Sequence, residues 1–271
     1  MQQRVSRVRL GKGQGLTYNQ PTWSAVSVID LTQGVDLSQA QSVTDSNFAV
    51  TVAEIGGQVF FSDLTAMALK EDVMRFFGRA LANAYKNAID TDLTEDMDSF
   101  TTSLGGAGSA MIIGRLLASA NRLNASSRPT EGKLSTVIHQ FQYHPMAEDL
   151  AALTAGAWYK STGTPAVERF SGSSVDGLTR NVIEDYWVGR LAGVDVYTDR
   201  NIAVDTSDDA KGGMFASEAI VSVTYDEPST RTERDESLRG VEVNYVGIHG
   251  SGVYEGAWGY EMYTDASTPS T

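Results

Sequence analysis

The chain has 271 residues, 41% of them hydrophobic and 20% charged, with a formal net charge of −13 and no cysteine. That length supports a substantial core in one elaborate domain or two small ones. The missing thiols exclude disulfides and thiolate chemistry, and the acidic balance argues against a broad basic face that grips nucleic acid.

Charge is unevenly placed. Before Asp30 the only charged residues are Arg4, Arg7, Arg9 and Lys12, so residues 1–22 read as a basic, extended arm. It is either a solvated tail or an arm that docks on acidic surface, its own or a neighbour's. The start "MQQRVSRVRLGKGQG" lacks the apolar stretch of a secretory signal, and no apolar run approaches the ~20 residues that span a bilayer. The expectation is a soluble protein, made in a cytoplasm, that uses no membrane.

Two β-rich stretches follow. "AVSVIDLTQGVDL" (Ala25–Leu37) sets Val26 and Val28 against Ile29 and Leu31, and "FAVTVAEIGGQVFFS" (Phe48–Ser62) places Phe48, Val50 and Val52 at alternate positions. With a polar tip between them they predict a hairpin over 23–62, reaching about 40 Å at ~3.3 Å per residue. A lone hairpin buries little, so its apolar faces need covering, by its own domain or by another subunit. Gly56 and Gly57 predict a bulge, a twist or a close backbone approach. Val59, Phe60 and Phe61 are expected to anchor the hairpin's base.

Ser62 or Asp63 then caps a helical region. Leu69, Val73, Phe76, Phe77, Ala80, Leu81, Ala84 and Ala88 follow the helical period, predicting a long helix over Asp72–Asp98. "AMIIGRLLASANRL" (Ala110–Leu123) predicts a second helix, "LSTVIHQF" a buried strand, and "HPMAEDLAALTA" a third helix with Pro145 in its first turn. "VIEDYWVGRLAGVDVYTD" predicts two short strands. "GGMFASEAIVSVTY" predicts a strand or short helix feeding a strand, and further strands close the chain.

The residues nominate no chemistry. His139 and His144 flank "QFQY" without the i, i+4 spacing of a helical zinc pair, and His249 sits in a Gly-bounded turn; all three read as structural or solvent-facing. "HGSG" lacks the strand–elbow–helix setting of a hydrolase nucleophile. Asp90, Asp92, Glu95, Asp96 and Asp98 fail the calcium-loop pattern and read as a solvated helix end. Acids there oppose the helix dipole, which predicts a cationic neighbour. No catalytic, cofactor-binding or metal-binding residue follows, and no enzyme activity is expected.

The order of basic arm, hairpin, glycine pair, long helix and mixed α/β resembles the major capsid proteins of tailed bacteriophages, the Hong Kong 97-type fold. "AEIGGQVFFSDL" (Ala53–Leu64) resembles the family's hairpin exit, and "TVIHQFQYHPMAEDL" (Thr136–Leu150) resembles the strand–helix element of its axial domain. "GVDVYTDRNI" with "GGMFASEAI", and the closing "YEGAWGYEMYTD", are similar to its later strands. The resemblance implies an α+β fold with an N-terminal arm (1–22), an extended β-hairpin or E-loop (23–62), and a spine helix with part of a peripheral domain (63–125). It further implies an axial domain (126–224), returning peripheral strands (225–255), and a closing strand and tail (256–271).

The implied function is a shell of pentamers and hexamers enclosing double-stranded DNA, assembled in the host cytoplasm and carried in the virion. A portal and a separately supplied scaffolding protein are the implied partners. Residues 23–62 contain no lysine, so the hairpin-lysine weld of some members is not expected. Assembly contacts are expected at Arg4, Arg7, Arg9, Lys12, Val26, Val28, Val50, Val52, Gly56 and Gly57. The rival readings are an encapsulin-type compartment of the same fold, an α/β hydrolase-like enzyme, and a β-rich binding module.

Overall fold

A computed structural model describes residues 1–23, 26, 28, 30, 33, 34, 41–68, 73–125, 133–154, 187–191 and 193–269. Two sheets and one long helix organise them. Alternating apolar residues build a four-stranded sheet in the order β1 (Ser6–Arg9), β10 (Ile220–Asp235), β11 (Gly240–Val253), β4 (Ala53–Ser62). A six-stranded sheet runs β5 (Thr102–Gly105), β12 (Gly259–Asp265), β9 (Asp209–Ala216), β6 (Leu134–Ile138), β8 (Val194–Thr198), β7 (Trp187–Leu191). The third sheet is a two-stranded ribbon, β2 (Thr17–Trp23) with β3 (Asp45–Thr51).

Helix α1 (Asp63–Ala68) opens with the Ser62 hydroxyl accepting the Thr65 N–H at 3.3 Å, an N-terminal cap. Helix α2 (Val73–Glu95) follows, continued by a 3-10 turn at Asp96–Ser99. At ~1.5 Å per residue α2 is about 35 Å long, and its apolar face supplies Tyr85, Ile89 and Leu93 to the main core. That core joins both sheets, since Val137, Phe215 and Ile220 also belong to it. A second core lies between the six-stranded sheet and helices α3 (Ile113–Asn124) and α4 (Gln140–Thr154), around Leu116, Leu123, Ile138 and Met146. A third, smaller one gathers Leu10, Val50, Val52, Val221 and Val223.

Several expectations shift. The hairpin's first strand is β2, inside the segment read as arm, and it pairs with β3 from Thr17 opposite Thr51 to Trp23 opposite Asp45. Within 25–37 the described residues form no strand, and the others lie outside the described set. The arm is not wholly extended either: it opens with a 3-10 turn at Gln2–Arg4, after which β1 adds parallel to β10. β4 leaves the hairpin and pairs antiparallel with β11. Residues 102–124, expected beside the long helix, pack with the six-stranded sheet, as does β12.

Helix α4 starts a turn earlier than Pro145 suggested. The His139 Nδ1 accepts the Phe141 N–H at 3.2 Å, and Gln142 Oε1 accepts the His139 N–H at 2.8 Å. Those reciprocal bonds make a capping box with histidine at the N-cap. Pro145 then sits in the second turn, where its missing N–H leaves one i→i−4 bond unmade.

Candidate assembly surface

The basic arm docks in part on its own chain. Arg4 lies 4.4 Å above the Tyr197 ring and 3.9 Å from Asp195 Oδ2, while Arg7 Nε donates to the Gln2 carbonyl at 2.8 Å. Both border a cavity of about 430 Å³ between the arm, α2 and the loop after β8. Arg9 is exposed on β1, and Lys12 is exposed in the turn beyond it. An offset cation over an aromatic face contributes about 0.5–1 kcal/mol when exposed.

The four valines expected at contacts divide sharply. Val26 and Val28 are exposed, Val28 at 99%, whereas Val50 and Val52 are buried against Leu10, Val221 and Val223. The last two are therefore spent in the chain's own core and offer nothing to a neighbour. Hairpin residues Trp23 and Val43 are exposed as well.

A second apolar group lies at the opposite end of β4. Leu64 and Met67 of α1, Phe76 of α2 and Leu238 of the β10–β11 turn are exposed, Met67 at 84%. Local bonds bring them together: the Asp63 N–H donates to the Arg239 carbonyl at 2.9 Å, and Arg234 grips Asp63 through both oxygens at 3.2 and 3.0 Å. Phe77, beside Phe76, stacks on Phe61 with ring centres 6.2 Å apart. Phe61 is buried as expected, but Phe60 points the other way and is exposed, because neighbours along a strand face opposite sides.

Neither glycine of the pair makes a bulge; the β4–β11 register runs unbroken from Ser62 opposite Gly240 to Ala53 opposite His249. Close approach is the reason at Gly56, where a Cβ would meet the Tyr245 carbonyl oxygen at 2.7 Å. At Gly57 it would meet only the Leu81 Cδ2, at 3.0 Å.

The expected cation at the acidic helix end is Lys211 of β9, which pairs with Asp98 and lies 3.5 Å from Glu261. Asp96 departs from the solvated reading: burial raises its carboxyl to about 6, opposed by a Ser251 hydrogen bond and reinforced by Asp92 and Glu95. His144 is half-exposed, 3.5 Å from Glu148 one turn on. His249 lies within strand β11, not in the expected turn, and is buried, its Nε2 3.0 Å from Ser222 Oγ and its Nδ1 3.9 Å from Asp92 Oδ2. Sequence reading missed this Ser–His–Asp line, since its members stand on three elements with no shared motif. Ser222 is itself buried within the sheet, so its bond to His249 links neighbouring strands, with Asp92 on the helix beyond hydrogen-bond reach. Among the described residues no group of three or more potential ligands is arranged to hold a metal ion, and no helix is long and apolar enough to cross a membrane.

No protein-family profile matches the chain, and no curated protein matches it by sequence. Solved structures do match it. The capsid of Ralstonia phage GP4 aligns with a TM-score of 0.70 at 13% identity, over 98% of this chain and 88% of that one. The cyanophage Pam1 capsid asymmetric unit gives 0.69 at 13%, over 95% and 87%. The capsid of a native GTA particle gives 0.66 at 13%, over 98% and 89%. Identity this low speaks for the backbone alone, and across nearly its whole length this backbone has the α+β fold of phage capsid proteins.

Proposed function

We propose that the chain is a major capsid protein of the Hong Kong 97 type. Copies pack as pentamers and hexamers into the icosahedral head of a tailed bacteriophage and enclose double-stranded DNA. The observation that carries this reading is the likeness to capsid subunits over both long chains at once. The ribbon β2–β3 belongs to the extended loop, α2 is the spine, the four-stranded sheet the peripheral unit and the six-stranded sheet the axial unit. The loop's exposed Trp23, Val26 and Val28 cover the exposed Leu64, Met67 and Phe76 of an adjacent copy. Burying such side chains contributes about 1.5–3 kcal/mol each, enough for many weak contacts to close a shell cooperatively. The acidic balance suits a lining that repels packaged DNA. A portal and a scaffolding protein are its partners, and assembly takes place in the host cytoplasm.

Electron microscopy of the purified protein tests this reading. Closed shells or five- and six-fold capsomers are expected. A monomer at every concentration overturns it, and shells found in their source packed with an enzyme instead of DNA assign the chain to the encapsulin-type compartment.

A further inference from the structure

Tyr85, Asp92 and Asp96 recur at spacings of seven and four, which places them on one face of α2 and its terminal turn. Gly247, His249 and Ser251 alternate along one face of β11. The two lines lie against each other. A Cβ on Gly247 would strike the Tyr85 ring, His249 Nδ1 lies 3.9 Å from Asp92 Oδ2, and Ser251 hydrogen-bonds Asp96.

This polar seam is unfinished. Tyr85 Oη, Asp96 Oδ2 and His249 Nδ1 are all buried without a hydrogen-bond partner, a state that few native polar groups occupy. His249 Nε2 is committed to Ser222 on β10, so Nδ1 can turn only toward the helix. Asp92, 45% exposed, opens the seam to solvent and gives protons a way in. The titratable groups facing it are Tyr85, Asp92, Glu95 and Asp96 from the helix side and Tyr245 and His249 from β11.

We propose that this seam is a proton-operated latch, which changes how the end of α2 seats on β11 as the medium passes from neutral to weakly acid. Protonating Asp96 removes a buried charge and converts its orphaned oxygen into a neutral hydroxyl that can donate. Protonating His249 at Nδ1 sets an imidazolium opposite the Asp92 carboxylate, already within ion-pair reach.

The two steps have opposite signs. Burial raises Asp96 to about 6 from 3.8, so the folded chain gains stability as pH falls through 6, and the gain is complete below 3.8. Burial lowers His249 below 6.5, the Asp92 charge opposing, so its contribution is full above 6.5 and is lost as pH falls through its lower folded value. A latch built from both loosens or tightens over a narrow acid range, and each half can be removed alone.

Hydrogen exchange followed by mass spectrometry on the full chain, corrected for intrinsic rates, tests it between pH 7.5 and 4.5. Peptides covering 85–99 and 245–251 are expected to change protection by roughly tenfold relative to peptides from β9 and β12. Asp96→Asn should abolish the stabilising step near pH 6, and His249→Gln should abolish the opposing, destabilising one. If His249→Gln does not fold, Asp92→Asn, at a half-exposed position, should displace that opposing step instead. Seam peptides that track the β9 and β12 controls at every pH, or profiles unchanged in the variants, overturn the latch. The readout lies within one subunit, so its failure is distinct from a failure to form shells.

Discussion

Gln142 carries more of the six-stranded layer's wiring than any apolar neighbour suggests. Besides completing the cap of α4, its Nε2 donates to the Ala210 carbonyl at 2.7 Å and to Thr264 Oγ1 at 2.8 Å, joining α4 to β9 and β12. Gln142→Leu keeps the volume but strands those buried partners, and should lower unfolding stability by about 2–3 kcal/mol in urea titration. A midpoint equal to that of the unchanged chain would show that the bonds contribute nothing net. At the glycine pair the same probe on two neighbours separates causes. Gly56→Ala drives a Cβ into a backbone carbonyl and should cost about 1–3 kcal/mol, while Gly57→Ala meets a movable leucine tip and should cost under about 1. Equal losses would mean that the close approach at Gly56 is not the constraint. The His139–Gln142 cap was not read, because histidine is not a usual N-cap residue and Pro145 drew the expected helix start downstream. The Ser222–His249–Asp92 line was not either, because strand register and helix docking alone bring it together.

At the scale of elements, period-bearing segments were readable and pairing was not. The alternation of Phe48, Val50 and Val52 did mark a strand, and the 3.6-residue period did mark α2 within a residue or three of each end. The partner of β3 was misplaced because Thr17–Trp23 holds Asn19, Gln20 and Pro21, residues that resemble a loop. Pro21 is tolerated there because a two-stranded ribbon has an outer edge that needs no N–H. The acidic run read as solvent-facing because composition cannot tell which side of a helix end a sheet covers. The arm makes its own test. Arg4→Ala removes an intrachain stacking and ion pair and should lower the subunit's thermal midpoint by only a few degrees, about 1 kcal/mol. Lys12→Ala, at an exposed position, should leave that midpoint unchanged and weaken assembly as added salt does. If that variant assembles with the salt response of the unchanged chain, Lys12 makes no contact with a neighbour.

For the whole molecule the two exposed apolar groups are the quantity to balance. Monomeric proteins seldom leave such side chains gathered in the open, and here one group lies on the hairpin and the other at the far end of β4. Leu64→Asp with Met67→Asp should leave circular dichroism unchanged, because both side chains are exposed, and should abolish capsomers in sedimentation. Capsomers formed at the usual yield would place the contact elsewhere. The overall α+β layout was legible from the order of its segments even though no single motif was strong. The division into units was not, because β5 and β12 enter their sheet from distant parts of the sequence.

That distance sets a timetable for synthesis. β10 and β11 lie between β1 and β4, and β12 lies between β5 and β9, so each large sheet is missing an inner strand until the ribosome has passed residue 253 or 265. A chain interrupted before Gly259 holds β5 and β9 apart with nothing to bridge them, and the main core it exposes invites capture by chaperones or proteases. On the proposed function, a chain without β12 lacks the completed sheet that its assembly surface rests on.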